Sequence, residues 1–248
     1  LDDAMYRIRI SWGCNSNCSY CGIKKAIGFH KSKSLEQVVE EFGRGLNNGY
    51  NHFVLNADDI GAYGIDIRSS FSEMLDKLTN NHADYKISIA NLSPRWLIRY
   101  IDDLEEIFKR QKITRLGVPI QSGSSRILKL MNRYHDTKKI KEALLRLKTA
   151  FPKLSLHTHI IVGFPSETDE DFKKTLFFIK KCNFNAGQIN PFSRKTGAEA
   201  ESIEPKIPED EINKRMNYAK KFLKKAGYNV MYKSKVYGLL FDKMDSNI

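Results

Sequence analysis

Between residues 6 and 192 short apolar runs alternate six times with longer stretches of helical periodicity. The runs are YRIRIS (6–11), HFVLN (52–56), YKISI (85–89), LGVPI (116–120), LSLHTHIIVGF (154–164) and GQINPF (187–192). After the first, Leu35, Val38, Val39, Phe42 and Leu46 recur on one helical face, and Phe71, Met74, Leu75 and Leu78 do so after the second. Further helices are expected around 104–108 and over 125–131, 138–151 and 172–181. Ser34 with Gln37, and Thr168 with Asp171, have the spacing of N-terminal capping pairs. Strands alternating with helices in this way predict an α/β fold, a parallel sheet covered by helices, either open and doubly wound or closed into an incomplete barrel. Both architectures place their chemistry in the loops at the C-terminal ends of the strands. Those loops read WGCNSNCSYC, NADDIGAYG, PIQSGS and VGFPSE.

Beyond Pro191 the alternation stops. Residues 193–208 read as a loop, an amphipathic lysine-rich helix follows over 210–226, and short strands are expected at 228–232 and 235–241. The division expected is a core over residues 1–200 with 201–248 as its extension. The start, LDDAMYRIRI, has neither the apolar segment of a secretory signal nor the acid-poor composition of a mitochondrial one, and no apolar run approaches the ~18 residues of a membrane span. The expectation is a cytoplasmic protein with no membrane partner. It begins abruptly before its first strand, so either an upstream segment has been cut away or the protein is a compact single domain. The formal charge of +12, from 41 basic and 29 acidic residues, favours an anionic partner such as nucleic acid, against the plainer reading of a solvated lysine-rich surface.

The first of those loops carries Cys14, Cys18 and Cys21; the fourth cysteine, Cys182, is remote. Three thiols inside eight residues do not make a disulfide scaffold and suit free thiolate ligands in a reduced compartment. A closed zinc site needs a fourth protein ligand, for which only His30 or Cys182 offers itself. An iron–sulfur cubane held by three thiolates keeps one iron open. Zinc, cluster and unligated thiols all remain readings of the spacing.

The C-x3-C-x2-C pattern after the first strand resembles the radical S-adenosylmethionine (radical SAM) superfamily. That resemblance implies a partial (β/α)6 barrel in which the three cysteines hold a [4Fe–4S] cluster. S-Adenosyl-L-methionine (SAM) would occupy the open iron and be cleaved by one electron to a 5′-deoxyadenosyl radical. The blocks ISWGCNSNCSYC (10–21), DDIGAYG (58–64), VPIQSGSSRILKLMNR (118–133) and IIVGFPSETDEDF (160–172) occur in the order found in the radical SAM methylthiotransferases, which modify tRNA adenosines or a ribosomal-protein aspartate. The resemblance spans about residues 5–200.

Carried over by position, Tyr20 and Ile23 lie near the SAM adenine, and Asp58 and Asp59 face its methionine end. Gln121 and Ser122 lie around SAM and substrate, Arg133 meets the SAM carboxylate, and Gly163, Phe164 and Pro165 let backbone approach the adenine. Each has a structural alternative: core packing for Tyr20, capping for Asp58, Gln121 and Ser122, a helix end for Arg133, and turn formation for Gly163 and Pro165. His157 and His159 are two apart on one strand and so share a face. They are nominated as catalytic proton donors or anion binders, against a packed histidine pair, and His159 stands where the family commonly has aspartate.

The partners implied are tRNA or a protein side chain, an electron donor and a sulfur source. The family's N-terminal cluster domain and C-terminal RNA-binding barrel have no counterpart in these 248 residues. Two other functions stay open: a radical SAM reaction without sulfur insertion, and a zinc-stabilised nucleic-acid-binding module. Cations of the C-terminal helix, among them Lys214, Arg215, Lys220 and Lys221, are nominated for phosphate contact in any of the three.

Overall fold

The computed structural model describes residues 5–234 and 238–244, which form two compact units. Among the described residues the first unit takes 5–16, 23–118 and 145–155, and the second takes 17–22, 119–144 and those from 156 onward.

The first unit is built on four parallel strands, β1 (Tyr6–Arg9), β4 (His52–Asn56), β5 (Lys86–Ile89) and β6 (Ile113–Gly117), in that spatial order. Ile8 stands opposite Leu55, Phe53 opposite Ile87, and Ile89 opposite Leu116. Parallel neighbours need crossover connections, supplied here by α2 (Leu35–Asn47), α3 (Phe71–Thr79) and α4 (Pro94–Phe108). Ile8, Phe53, Leu55, Ile87, Ile89 and Leu116 are buried on the strands. Phe42 of α2 meets Phe53 at 4.4 Å between ring centroids. Two further strands of two residues each, β2 (Ser11–Trp12) and β3 (Lys31–Ser32), pair antiparallel at the ends of the segment holding the cysteines and the short helix α1 (Ile23–Ile27).

In the second unit β7 (Ser155–Val162) pairs parallel with β8 (Ala186–Pro191), and β10 (Gly238–Lys243) lies antiparallel between β8 and β9 (Tyr228–Ser234). Its helices are α5 (Ser125–Leu130), α7 (Asp169–Cys182) and α8 (Glu209–Lys225), with the first part of α6 (Thr137–Ala150). Among the described residues no helix is long and apolar enough to cross a membrane.

Both expected capping boxes form. Ser34 accepts from the Gln37 N–H and Thr168 from the Asp171 N–H, with the reciprocal side-chain bonds in place. The fourth strand lies three residues earlier than the apolar run suggested. Ile113 already pairs with Ile87, whereas Pro119, without an N–H, cannot carry a ladder through the run's second half. α4 reaches back to Pro94, well before the LEEIF segment, and Ser93–Pro94 is the start signal there. The last strand is observed over Gly238–Lys243; residues 235–237 of the expected one lie outside the described residues.

Candidate functional site

In the first unit the cysteine loop begins at Gly13, whose φ is +68°. A Cβ there would fall 2.2 Å from the Phe29 carbonyl oxygen, so glycine is required by both conformation and space. The Gly13 N–H donates to Asp58 Oδ2 at 2.9 Å, and Arg9 Nη2 donates to the same oxygen at 2.6 Å. Cys14 is anchored by its N–H to the Gly28 carbonyl at 3.2 Å, and the Ser16 N–H points at Cys14 Sγ from 3.3 Å.

Asp59 is 5% exposed and gathers four groups. Its Oδ1 accepts from Trp96 Nε1 at 2.8 Å. Its Oδ2 accepts from Arg95 Nη2 at 2.6 Å and Ser16 Oγ at 3.3 Å, with Cys14 Sγ at 3.7 Å. The two aspartates therefore hold the start of the cysteine loop, Asp58 through Gly13 and Asp59 through Ser16. Arg95 and Trp96, at the start of α4, complete this arrangement. Sequence reading missed them because nothing in a helix pattern shows that an indole and a guanidinium will meet a carboxylate 36 and 37 residues away. Ile23 opens α1 and is half-buried.

In the second unit the loop continues through Ser19, whose N–H donates to the Met131 carbonyl at 3.1 Å and whose Oγ donates to the Leu130 carbonyl at 2.7 Å. This contact with the end of α5 fixes the backbone between Cys18 and Cys21. The Cys21 N–H closes a turn on the Cys18 carbonyl at 3.0 Å. Arg133, just beyond α5, turns back onto the same loop. Its Nη1 lies 3.6 Å from Cys18 Sγ and 3.3 Å from the Tyr20 hydroxyl, and Nη2 donates to the Pro119 carbonyl at 2.7 Å. Burial pushes the Tyr20 hydroxyl above the usual phenol range; Arg133 opposes this and Cys18 adds to it. The Arg133 guanidinium is shifted further upward by Tyr20 and Cys18, which outweigh the opposing effect of its own burial.

Gln121 is half-buried, with φ at +70°, a conformation costly for a non-glycine residue. Two bonds hold it there: its N–H donates to the His159 carbonyl and its carbonyl accepts from the Ile161 N–H, both at 2.9 Å. Ser122 is 1% exposed, and its Oγ is engaged by the Ser124 N–H and Thr175 Oγ1. On β7 exposure alternates strictly. His157, His159 and Ile161 share the half-buried face, while Leu156, Thr158, Ile160 and Val162 are buried on the other. Across the pair His157 stands opposite Ala186 and His159 opposite Gln188.

After β7, Gly163 and Pro165 line a cavity of about 610 Å³ together with Phe192, Arg194 and Ile212. Phe164 instead faces the core, fully buried and edge-on to Phe192. The Gly163 N–H donates to Glu167 Oε2 at 2.8 Å, and Arg215 Nη1 donates to the same oxygen at 2.9 Å. Burial pushes Glu167 up to about 7 against both donors. Arg215, 7% exposed, also binds Asp169 at 2.8 Å and Glu211 at 3.2 Å. Neither Glu167 nor Arg215 was distinguishable in the sequence from any other charged residue of its segment.

None of the four cysteines is in a disulfide; the three of the loop are half-buried and Cys182 is buried. Burial pushes the Cys182 thiol up to about 12. The His30 ring is fully buried against Ser32, its Nε2 at 3.0 Å from Ser32 Oγ. Among the described residues no three His, Cys, Asp or Glu side chains are gathered as a metal-holding group.

The chain belongs to the radical SAM superfamily, whose sequence model matches residues 8–179. Its homologues include methylthiotransferases. It is 31% identical over 245 residues to tRNA-2-methylthio-N(6)-dimethylallyladenosine synthase of Clostridium botulinum, covering 97% of this chain and 54% of that protein. It is 32% identical over 234 residues to threonylcarbamoyladenosine tRNA methylthiotransferase MtaB of Thermotoga maritima, covering 93% and 53%. The chain thus spans about half the length of these relatives. Among solved structures, coproporphyrinogen III oxidase (HemN) of Escherichia coli superposes with a TM-score of 0.68 at 17% identity, over 98% of this chain and 56% of that one. The methyltransferase TsrM of Kitasatospora setae gives 0.64 at 13%, over 76% and 37%. The fold is the partial (β/α)6 barrel expected of this superfamily.

Proposed function

We propose that this chain is the radical-generating core of a methylthiotransferase-like enzyme that binds a [4Fe–4S] cluster through Cys14, Cys18 and Cys21, uses SAM, and acts on tRNA. The observation that carries this reading is the donor set around the cysteine loop. The Ser16 N–H lies 3.3 Å from Cys14 Sγ and Arg133 Nη1 lies 3.6 Å from Cys18 Sγ, with the thiols free of disulfides. Donors aimed at sulfur complement the negative charge that a ligating thiolate carries, and such outer contacts orient metal ligands. Three half-buried thiols within one loop are the ligand type such a cluster takes. Cys182, buried at the end of α7, and His30, held by Ser32, do not offer an obvious fourth ligand for zinc.

When bound, cluster and SAM together supply a one-electron cleavage of the sulfonium. The protein's part is to hold and orient. Gly13, Asp58 and Asp59 fix the start of the loop, and Ser19 and Arg133 its middle. We assign Tyr20, Ile23, Gln121, Gly163 and Pro165 to the surroundings of SAM, with buried Ser122 and Phe164 supporting that backbone from the core, and the half-buried face of β7 with His157 and His159 to the substrate side. An external electron donor and a sulfur source are the further partners. Relatives named as tRNA-modifying enzymes support tRNA as the substrate over a protein side chain.

The test is anaerobic reconstitution followed by iron and sulfide analysis, electron paramagnetic resonance and chromatography of the SAM products. About four irons per chain are expected, lost on replacing any of the three loop cysteines by alanine and kept in Cys182→Ala. Reduced protein should release 5′-deoxyadenosine and methionine. Stoichiometric zinc without iron would overturn the proposal.

A further inference from the structure

Four lysines converge on a groove of the second unit that has no role in the chemistry described above. Lys138 and Lys141 of α6 and Lys174 and Lys181 of α7 line a depression of about 410 Å³. Gly123, Thr137 and two phenylalanines complete its wall, and among the described residues no carboxylate lines it. Phe177 lies 51% exposed there, a large apolar surface left in water. Lys174 pairs with Glu170 at 2.8 Å, an i,i+4 contact between exposed groups that exchanges readily for another anion. Among the described residues Lys138, Lys141 and Lys181 form no ion pair. Four like charges facing one concavity repel one another and concentrate positive potential within it. A bound anion relieves that repulsion.

Two cations of α8 are placed differently. Lys214 is held by Asp210 at 3.1 Å, and Arg215 is enclosed by Glu167, Asp169 and Glu211. The groove wall is firm. The Gly123 N–H donates to Thr175 Oγ1 at 2.9 Å, and a Cβ at Gly123 would lie 2.7 Å from the Lys174 carbonyl oxygen. This wall continues in two residues to Gln121, which the reading above places near SAM and substrate.

We propose that this groove is a docking surface for an RNA backbone, with phosphates held by Lys138, Lys141, Lys174 and Lys181. The proposal rests on the reading of tRNA as the substrate and adds where on the chain the RNA is held. A run of phosphates matches several cations in one depression, and the exposed ring of Phe177 offers a stacking surface for an unpaired base.

The experiment measures binding of an unmodified tRNA transcript to the whole chain by fluorescence anisotropy across a salt series. The groove variant is Lys138→Glu/Lys141→Glu/Lys181→Glu, with a milder Lys→Gln triple in case charge reversal disturbs folding. The control is Lys220→Glu/Lys221→Glu/Lys224→Glu on α8, which changes net charge equally. Three lost phosphate contacts should make the slope of log K against log salt shallower by about 3 and weaken binding roughly tenfold or more near physiological salt. The Gln triple should show the same direction, the α8 control should stay within about threefold, and SAM cleavage should be unchanged in the groove variant. Wild-type binding to tRNA with an unaltered groove variant, or an equal loss in the control, overturns the groove while leaving the tRNA reading intact. No tRNA binding by the wild type overturns both. Binding of polyglutamate in preference to tRNA assigns the groove to an acidic protein and overturns the RNA proposal.

Discussion

Asp59→Ala should destabilise the first unit by about 1.5–4 kcal/mol, and Asp59→Asn by only about 1. The magnitude follows from what each change leaves behind. Trp96 is 7% exposed, and its Nε1–H has Asp59 Oδ1 as its acceptor at 2.8 Å. Stranding a buried donor costs about 1–3 kcal/mol. The Arg95 contact, at 2.6 Å, is charge-assisted, but the arginine side chain is 39% exposed. Solvent screening reduces that loss to about 0.5–1 kcal/mol. Asparagine keeps an oxygen for the indole and gives up the screened ion pair and the longer Ser16 contact. The assay is urea unfolding of the wild type and both variants, with midpoints compared at unchanged m-value. A loss below about 1 kcal/mol in Asp59→Ala, or equal losses in the two variants, would refute the claim that the buried indole dominates.

Two further outcomes are expected. Glu167 rises from an ordinary value of 4.5 to about 7 chiefly through burial, so the folded protein binds its proton more tightly than the unfolded chain does. Its contribution is fully present below about pH 4.5 and is lost as pH rises through about 7, a fall in stability of the order of 3 kcal/mol. Unfolding curves between those pH values should show this decline, and the same decline in Glu167→Gln would be evidence against the assignment. In Gly163→Ala the left-handed φ of +80° costs about 1–2 kcal/mol, and overlap with Ile212 Cγ1, 2.4 Å from the new Cβ, adds about 1–3. Ile212→Ala in the same chain should recover the second part; the absence of any recovery in a double-mutant cycle would contradict the steric account.

What the sequence made legible was local. The capping pairs Ser34–Gln37 and Thr168–Asp171 span three residues each and form as read. The shared face of His157 and His159 follows from strand alternation alone. β6 was misplaced by an apolar run that continues through Pro119, where burial persists but the ladder does not. β2 and β3, two residues each, are too short to have any periodicity. Around the site, the cysteines announced themselves by spacing. Their supports did not. The family resemblance points Arg133 at the SAM carboxylate, whereas its turn back onto Cys18 and Tyr20 depends on how the segment after α5 packs. The pairing of Arg215 with Glu167, 48 residues apart, is likewise a product of tertiary packing that no periodicity encodes.

That guanidinium makes α8 and the loop after β7 a single cooperative element. Detaching the helix would strip Glu167 of its cation while Gly163 still donates to the same oxygen, leaving a buried carboxylate that must take up a proton or draw in water. Local opening of either segment therefore requires opening of the other. In hydrogen exchange the Gly163 amide and the inner amides of α8 should therefore exchange together, in a shared sub-global event. The backbone that lines the cavity beside Gly163 is thus tied to a helix beginning some forty-six residues further along the chain.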